Sequence, residues 1–241
     1  FRDGRRILLP PIRVFADENG HPLQLANMRS HAGATGRRKL CFADWDGDGF
    51  ADVMANDVNG DVLVYLNPGR RGSRELRPAE HVEVEWNGRQ PQPPWEWRGD
   101  PGKVLRAPWR TTPVMIDWNR DGLMDLVMMD GEGCLSLFER RRQDGRLVLL
   151  APQHIFVDLD GAPLRRPLPE DLRCGGNWGR WTLCFTDWDG DGKLDILRSG
   201  PNATFLRQVK EEGGKVFFCD LGSIAERPLA GHNCSPTTAD F

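Results

Sequence analysis

The sequence predicts an all-β fold, a β-propeller with four-stranded blades, and three observations lead to it. First, L-C-F-A-D-W-D-G-D-G at 40–49 returns as L-C-F-T-D-W-D-G-D-G at 183–192, and eleven of the 21 positions in 3–23 are identical to those in 144–164. Second, a third copy of the acidic motif begins at Asp117. Third, 27 Gly and 18 Pro predict frequent turns, and no apolar pattern at helical spacing lasts a dozen residues.

Each repeated unit of about 70 residues has the same order of predicted strands. An apolar first strand leads into the acidic motif, a second strand follows at once, and a third comes after a turn. The second strands include 53–54, 126–127 and 196–197, the third strands are 62–66, 134–138 and 203–209, and outer strands include 146–150 and 154–158. Four short strands in a repeated unit are typical of propeller blades.

The length predicts an incomplete ring. At about 70 residues per blade, 241 residues make about three and a half blades, fewer than the roughly 4–8 of a closed propeller. A fourth acidic motif is expected to start at Asp240. We therefore expect residues 1–241 to be a single partial propeller domain. The remaining blades would come from the same longer polypeptide or, alternatively, from another chain.

Composition excludes some classes of function. The formal net charge of −3 does not favour nucleic acid as a partner. No apolar run approaches the roughly 20 residues of a membrane span. The six cysteines include Cys41 and Cys184 at matching positions of apolar strands, which predicts free buried thiols. No C-x-x-C occurs, which argues against a zinc site, and His81 and His154 share a repeat position that indicates a structural role.

Three acidic loops carry the strongest chemical signal, at 44–52, 117–125 and 187–195. In each loop, oxygen-bearing side chains occupy positions 1, 3, 5 and 9, and Gly occupies position 6. Ca²⁺ takes about 6–8 oxygen ligands in flexible geometry, whereas Mg²⁺ demands an octahedron and keeps its waters. With the backbone carbonyl of position 7, the predicted ligands of three structural Ca²⁺ ions are Asp44, Asp46, Asp48, Phe50, Asp52, Asp117, Asn119, Asp121, Leu123, Asp125, Asp187, Asp189, Asp191, Lys193 and Asp195.

Two other kinds of acidic loop fit the sequence less well. An EF-hand needs a ligating Glu at position 12, where this chain has Ala55, Met128 or Arg198. Plain acidic turns do not explain three copies of nine residues in register. Arg120 places a positive charge beside the second site. Trp45, Trp118 and Trp188 share position 2 and are expected to pack between blades.

These loops resemble the FG-GAP, or VCBS, repeat family, whose pattern is roughly D-x-[DN]-x-D-G-x-x-D between two strands. The resemblance extends through the repeat over nearly the whole chain. It implies a calcium-bearing β-propeller, usually seven-bladed, in an extracellular or periplasmic setting. Related propellers include polysaccharide lyases, some glycoside hydrolases, fungal lectins and the heads of integrin α chains, so the resemblance does not fix the activity.

The entry loops of the first strands are the predicted ligand site, because such loops gather around the axis of a propeller. Arginine stands seven residues before the first aspartate of each of the three loops, and Asn233 stands there before Asp240. Guanidinium groups bind carboxylates or sulfates in pairs of hydrogen bonds. Tryptophan offers a flat face to sugar rings. The predicted binding residues are Arg37, Arg110, Arg180, Trp109, Asn177, Trp178 and Asn233, with His31 or His232 as the base of a lyase.

The predicted function is therefore a secreted, calcium-stabilised propeller that binds or degrades an acidic polysaccharide. Whether the chain is an enzyme stays open, and the alternatives are a non-catalytic lectin-like or adhesive module and an integrin-like protein-binding head. Alternatively, the arginines have a structural role and donate hydrogen bonds to backbone carbonyls of the adjacent blade. A residue that is repeated in every blade usually stabilises the fold.

Overall fold

The computed structural model describes residues 15–23, 39–57, 60–70, 75–91, 99–108, 110–166, 181–200 and 202–226. Within these ranges the protein is all-β, with fourteen strands and no helix, as the sequence predicts. Accordingly, none of these residues belongs to a helix long and apolar enough to cross a membrane. The strands form three larger sheets and one two-stranded hairpin.

The first sheet is an antiparallel meander of four strands. They are β1 (Leu40–Ala43), β2 (Asp52–Asn56), β3 (Val62–Tyr65) and β4 (Glu80–His81), hydrogen-bonded in chain order. β2 and β3 are buried throughout, and the residues between Asp52 and Asn56 in β2, like those of β3, are largely apolar. This sheet matches the predicted four-stranded unit.

The second sheet repeats the first three strands of that meander. It contains β5 (Val114–Ile116), β6 (Asp125–Met129) and β7 (Leu135–Phe138), and again the second and third strands are buried throughout. A single bridge joins β7 to Gln153 at the outer edge. The chain then forms the hairpin of β8 (Arg140–Gln143) and β9 (Arg146–Leu149).

The third sheet has five strands in the order β10-β14-β13-β12-β11. Their bounds are Phe156–Val157 for β10, Leu183–Thr186 for β11, Asp195–Arg198 for β12, Thr204–Glu212 for β13 and Lys215–Ser223 for β14. β10 pairs with β14 in parallel, while the other pairs are antiparallel. Among the described residues, only the first sheet therefore consists of four antiparallel strands.

The three sheets pack face to face, with the second sheet in the middle. Residues of β6 alternate between its two faces: Leu126 and Met128 join the core shared with the first sheet, and Val127 and Met129 join the core shared with the third. The middle sheet is thus buried on both sides. This stacking places the three acidic loops at equivalent ends of neighbouring sheets.

Candidate metal centres in the acidic loops

Each acidic loop connects the first and second strands of its sheet. The strand register pairs Ala43 with Asp52 in the first sheet, and Ile116 with Asp125 in the second. In the third sheet, Thr186 pairs with Asp195. Position 9 of every loop is therefore the first residue of the second strand, directly opposite the residue that precedes position 1.

The aspartate at position 1 closes each loop by accepting two backbone hydrogen bonds. In the first loop, Asp44 Oδ1 accepts from Gly47 N and Oδ2 from Gly49 N, both at 2.8 Å. Asp187 accepts from the matching glycines of the third loop at 2.8 and 2.9 Å. Asp117 accepts from the amides of positions 5 and 6 at 3.0 Å. The loop backbone therefore folds around this carboxylate in all three copies.

Positions 3 and 5 each accept from the amide two residues further on. Asp46 Oδ1 accepts from Asp48 N at 3.2 Å, and Asp48 Oδ1 accepts from Phe50 N at 2.9 Å. The same bonds recur at Asn119, Asp121, Asp189 and Asp191. In each aspartate of this set, one carboxylate oxygen shapes the loop and the other is left to face a ligand or a neighbouring side chain. Asn119 differs, because its single side-chain oxygen already accepts the backbone hydrogen bond.

Position 9 has a role beyond that of a predicted ligand. Asp52, Asp125 and Asp195 are fully buried. One carboxylate oxygen of each accepts from the amide of the tryptophan at position 2, at 2.7, 3.1 and 3.0 Å. The other oxygen accepts from a backbone amide in or just after the third strand, at 2.7–2.8 Å. These amides belong to Asn67, Arg140 and Gln208. This carboxylate therefore ties the loop to the third strand, which the acidic pattern alone did not predict.

Two residues per loop have a left-handed backbone. In the first loop they are Gly47 and Gly49, with φ of 81° and 88°. The second loop has Gly122 at position 6 but Arg120 at position 4, with φ of 62°. Because a Cβ disfavours this region by about 1–2 kcal/mol, the second loop carries backbone strain that glycine relieves in the other two.

The side chains fit a divalent cation. Carboxylate oxygens of Asp44, Asp46 and Asp48 lie within 4.8 Å of one another, as do those of the set Asp187, Asp189 and Asp195. Ligands on opposite sides of a Ca²⁺ ion lie up to about 5 Å apart, because each bond is about 2.3–2.6 Å long. Burial, followed by the neighbouring carboxylates, raises the pKa of Asp46. A cation among these groups would relieve that repulsion.

The surroundings of the loops differ in charge. In the third loop, Arg207 Nε lies 2.6 Å from Asp189 Oδ2, and Lys193 Nζ lies 2.8 Å from Asp191 Oδ2. The hydrogen bond from Lys193 is the main reason that the pKa of Asp191 is lowered. Both cationic side chains are partly exposed, so they can turn to solvent when a metal ion takes their place.

The second loop has an additional acidic neighbour that the sequence pattern missed. Asn119 replaces an aspartate at position 3, and its Nδ2 lies 3.4 Å from Glu139 Oε1. Glu139 follows β7 directly, so its carboxylate reaches the loop from the third strand. Its two oxygens also accept from Arg141, at 2.7 and 3.1 Å, so this acidic neighbour is already paired with a cation.

The tryptophans at position 2 lie in different surroundings. Trp45 is buried between the first and second sheets. Trp118 packs edge-on against Phe156 and Phe185, with ring centroids 5.0 and 5.9 Å away, between the second and third sheets. Trp188 is exposed. The predicted packing role is therefore seen for the first two tryptophans and not for the third.

Of the predicted polysaccharide-binding residues, the structure describes only Arg110. It is half-buried and has φ of 69°, and its backbone N lies 3.2 Å from the Asn56 side-chain oxygen when that amide is oriented to accept. Its role toward a ligand stays a prediction. The other predicted residues lie outside the described ranges, as does Asp240: His31, Arg37, Trp109, Asn177, Trp178, Arg180, His232 and Asn233.

The predicted free thiol is confirmed for Cys41, while the predicted burial is only partial, because Cys41 and Cys184 are both half-buried. Cys41 Sγ accepts from the amide of Met115 at 3.2 Å, and burial raises the pKa of its thiol. This cysteine therefore helps to join the first sheet to the second.

Comparison with known proteins adds no assignment. Neither the models of known protein families nor the curated proteins match the chain.

Proposed function

We propose that the chain is part of a calcium-stabilised β-propeller that lies outside the cytoplasm and binds or degrades acidic carbohydrate. The observation that carries the proposal is the set of three acidic loops, in each of which the side chains at positions 1, 3, 5 and 9 accept backbone hydrogen bonds. A turn that needed no ligand could be closed by Asp44 alone. The further carboxylates of Asp46 and Asp48 accept backbone hydrogen bonds of their own, but their negative charges lie close to that of Asp44, and a cation among them would offset this repulsion.

Calcium would act as a structural ion at these loops. All predicted side-chain ligands are oxygens, which suits a hard cation. Position 9 joins the loop to the second and third strands, so an ion that binds this carboxylate would hold three strands of one sheet together. The setting outside the cytoplasm follows from the same proposal, because calcium is plentiful there.

The propeller arrangement is supported by the stacking of the sheets. The second sheet is covered on both faces by sheets with the same β–loop–β–turn–β order. On the outer faces of the stack, Phe42 of the first sheet and Trp188 of the third sheet are exposed. Further sheets of the same kind would cover these residues, and a seven-bladed ring supplies them without leaving an open end.

Calcium dependence is tested by thermal unfolding of the whole chain before and after chelation. We expect chelation to lower the melting temperature, and calcium alone to restore it. In Asp44→Asn the response to calcium should shrink, because one ligand loses its charge. An unchanged melting temperature after chelation would overturn the calcium proposal.

Asp158 provides a matched control for that experiment. Its Oδ1 accepts from Asp160 N at 3.0 Å and from Ala162 N at 2.9 Å, so it shapes a turn as Asp44 does. It is outside the acidic loops. Asp158→Asn should therefore leave the response to calcium unchanged, which separates loss of a turn from loss of a metal ligand.

The carbohydrate proposal rests on the arginines of the entry loops and is tested by binding of uronate-rich glycans. We expect Arg110→Ala to weaken binding by about tenfold, because a guanidinium–carboxylate pair is lost. Arg142→Ala, at an exposed position of the β8–β9 hairpin, serves as the control. If Arg110→Ala bound the glycan as tightly as Arg142→Ala and the unaltered chain, this site would be excluded.

Catalysis is separated from binding by following unsaturated uronate products in the ultraviolet. Product formation indicates a lyase. Binding without product favours the lectin-like alternative, in which the same arginines hold the glycan and no base acts on it.

A further inference from the structure

A second kind of side-chain cluster lies at the β6–β7 turn, apart from the acidic loops. Asp130 and Cys134 begin and end this turn, and His154 comes from the segment that follows β9. One ligand atom of each residue lies within 4.8 Å of the other two. The set therefore brings a carboxylate oxygen, a thiol sulfur and an imidazole nitrogen to one place.

The fold assembles this cluster from residues that are distant in sequence. Asp130 N donates to Cys134 O at 2.9 Å, which closes the turn. Gln153 exchanges two backbone hydrogen bonds with Leu137 of β7, at 2.8 and 3.0 Å, and this pairing sets His154 beside the turn. The absence of a C-x-x-C motif therefore did not exclude a site with a sulfur ligand.

The donor set suits a borderline-soft cation such as Zn²⁺. Zinc bonds to sulfur, nitrogen and oxygen are about 2.0–2.3 Å long, which places tetrahedral ligands about 3.5 Å apart. His154 Nε2 and Asp130 Oδ2 are now hydrogen-bonded at 2.6 Å, so they must separate by roughly 1 Å to admit the ion. Glu132 Oε2, 4.0 Å from His154 Nε2, can supply the fourth ligand.

The carboxylate of the cluster is already held in place by its neighbours. Asp130 Oδ1 accepts from Glu132 N at 2.8 Å and from Cys134 N at 3.0 Å. Ser136 Oγ donates to Asp130 Oδ2 at 2.7 Å. Hydrogen bonds of this kind orient a ligating carboxylate before the metal binds.

The matching turn of the first sheet shows what is particular to the second. There Asp61 takes the place of Cys134, and the buried Arg106 forms an ion pair with it. In the second sheet the corresponding bridge joins Cys134 to Arg165, which is exposed. Where the first turn has the buried Arg106–Asp61 ion pair, the second turn has the Cys134 thiol. Asp130 is buried beside this thiol.

An independent observation lies in the crevice beside the cluster. This crevice has space for about one water molecule and is lined by Gln90, Asp130 and Glu132, among others. Gln90 is 6% exposed, and its Nε2 donates to Arg106 O at 3.0 Å. Its Oε1 has no hydrogen-bond donor among the described residues. A water molecule held in this crevice, beside the site, would supply the missing donor.

We propose that Asp130, Cys134 and His154 form a binding site for Zn²⁺ or a similar transition-metal ion, closed by Glu132. The ion joins the β6–β7 turn to the outer segment of the second sheet. Its role is structural, because the ligands are protein side chains on two packed segments. The partly exposed edge of His154 gives the metal a path of entry.

Metal binding competes with protons at this site. Burial, followed by the Asp130 carboxylate, raises the pKa of the Cys134 thiol to about 11. The hydrogen bond to Asp130 raises the pKa of His154. The ion must displace a proton from each, and both protons pass to the solvent.

The test uses Co²⁺ as a spectroscopic probe of the full chain, with excess Ca²⁺ present to fill oxygen-only sites. We expect one equivalent of Co²⁺ to give the absorption of a thiolate-to-cobalt charge transfer, and Zn²⁺ to abolish it by displacement. Cys134→Ser should remove this band, while Cys219→Ser, which changes another half-buried thiol, should retain it. In His154→Gln, Co²⁺ affinity should fall at least tenfold.

Two results would overturn the proposal: no thiolate band in the unaltered chain, or the same band in Cys134→Ser. Should Cys134→Ser fail to fold, thiol labelling of the unaltered chain decides instead. Zn²⁺ should slow the labelling of Cys134 selectively, and an unchanged rate would count against the site. Because the acidic loops contain no sulfur, this outcome is independent of their affinity for calcium.

Discussion

The first and third sheets contain almost the same ten residues in opposite surroundings. Nine positions are identical between 40–49 and 183–192, and the loops in them have the same hydrogen bonds. Yet Trp45 is 8% exposed and Trp188 is 47% exposed. The strand before the loop shows the reverse: Leu40 is 38% exposed and Leu183 is 6% exposed.

The middle sheet explains this inversion. It covers the tryptophan side of the first sheet and the leucine side of the third. At the first contact, the Arg140 guanidinium lies 3.8 Å from the centre of the Trp45 ring and donates to the Trp45 carbonyl oxygen. The conformation of the loop therefore depends on the local sequence. Which of its side chains are buried, and so stabilise the fold, depends on the neighbouring sheet.

The largest effect should come from the tryptophans. Trp45→Ala should lower the free energy of unfolding by about 3–5 kcal/mol, because it leaves a cavity between two sheets. Trp188→Ala should cost less than about 1 kcal/mol, because that ring is largely in solvent. Urea unfolding of both variants measures the difference. Equal losses would break the comparison.

Truncation of the leucines should destabilise the protein less than truncation of Trp45, and here the third sheet should be the more sensitive one. Leu183→Ala should cost about 2–3 kcal/mol, whereas Leu40→Ala should cost less than about 1 kcal/mol. The same unfolding measurement applies. If Leu40 proved the costlier site, the stacking of the sheets would have to be different from that described.

The next effect concerns the contact between the first loop and the second sheet. Arg140→Met should destabilise the protein by about 2 kcal/mol, since a desolvated cation–π contact and a hydrogen bond to Trp45 are lost. Arg142→Met, exposed on the same strand, is the control. A double-mutant cycle with Trp45→Phe would show the coupling, and additive losses would contradict it.

The smallest effect should distinguish the second loop from the other two. Arg120→Gly should stabilise the protein by about 0.5–1 kcal/mol, because relief of the left-handed strain exceeds the entropy cost of glycine. Gly190→Arg, at the same position of the third loop, should destabilise it. A lower melting temperature for Arg120→Gly would show that a contact of the arginine stabilises the protein by more than the left-handed backbone costs.

Much of the inner part of each sheet could be predicted. The predicted third strands at 62–66 and 134–138 correspond to β3 at Val62–Tyr65 and β7 at Leu135–Phe138. These segments have short apolar runs bounded by turn residues, which is a local signal. The parallel pairing of β10 with β14 was not predicted, because it joins segments about 60 residues apart.

The candidate sites divide in the same way. Acidic positions in the loops are read directly from a nine-residue pattern, so Asp44 and its counterparts could be chosen without a structure. Glu139 and the cluster around Cys134 could not, because their members come from different strands. Pairing between strands, not spacing along the chain, brings these side chains together.

The all-β class, the three acidic loops and the position of the inner strands could be inferred from the amino-acid sequence. Each of these depends on residues within a few positions of one another, where glycine, aspartate and apolar side chains act through local backbone geometry. The burial of Trp45, the exposure of Trp188 and the meeting of Asp130, Cys134 and His154 follow from how the sheets pack. Burial and ligand convergence depend on the neighbouring sheet, whose contacts no local pattern contains.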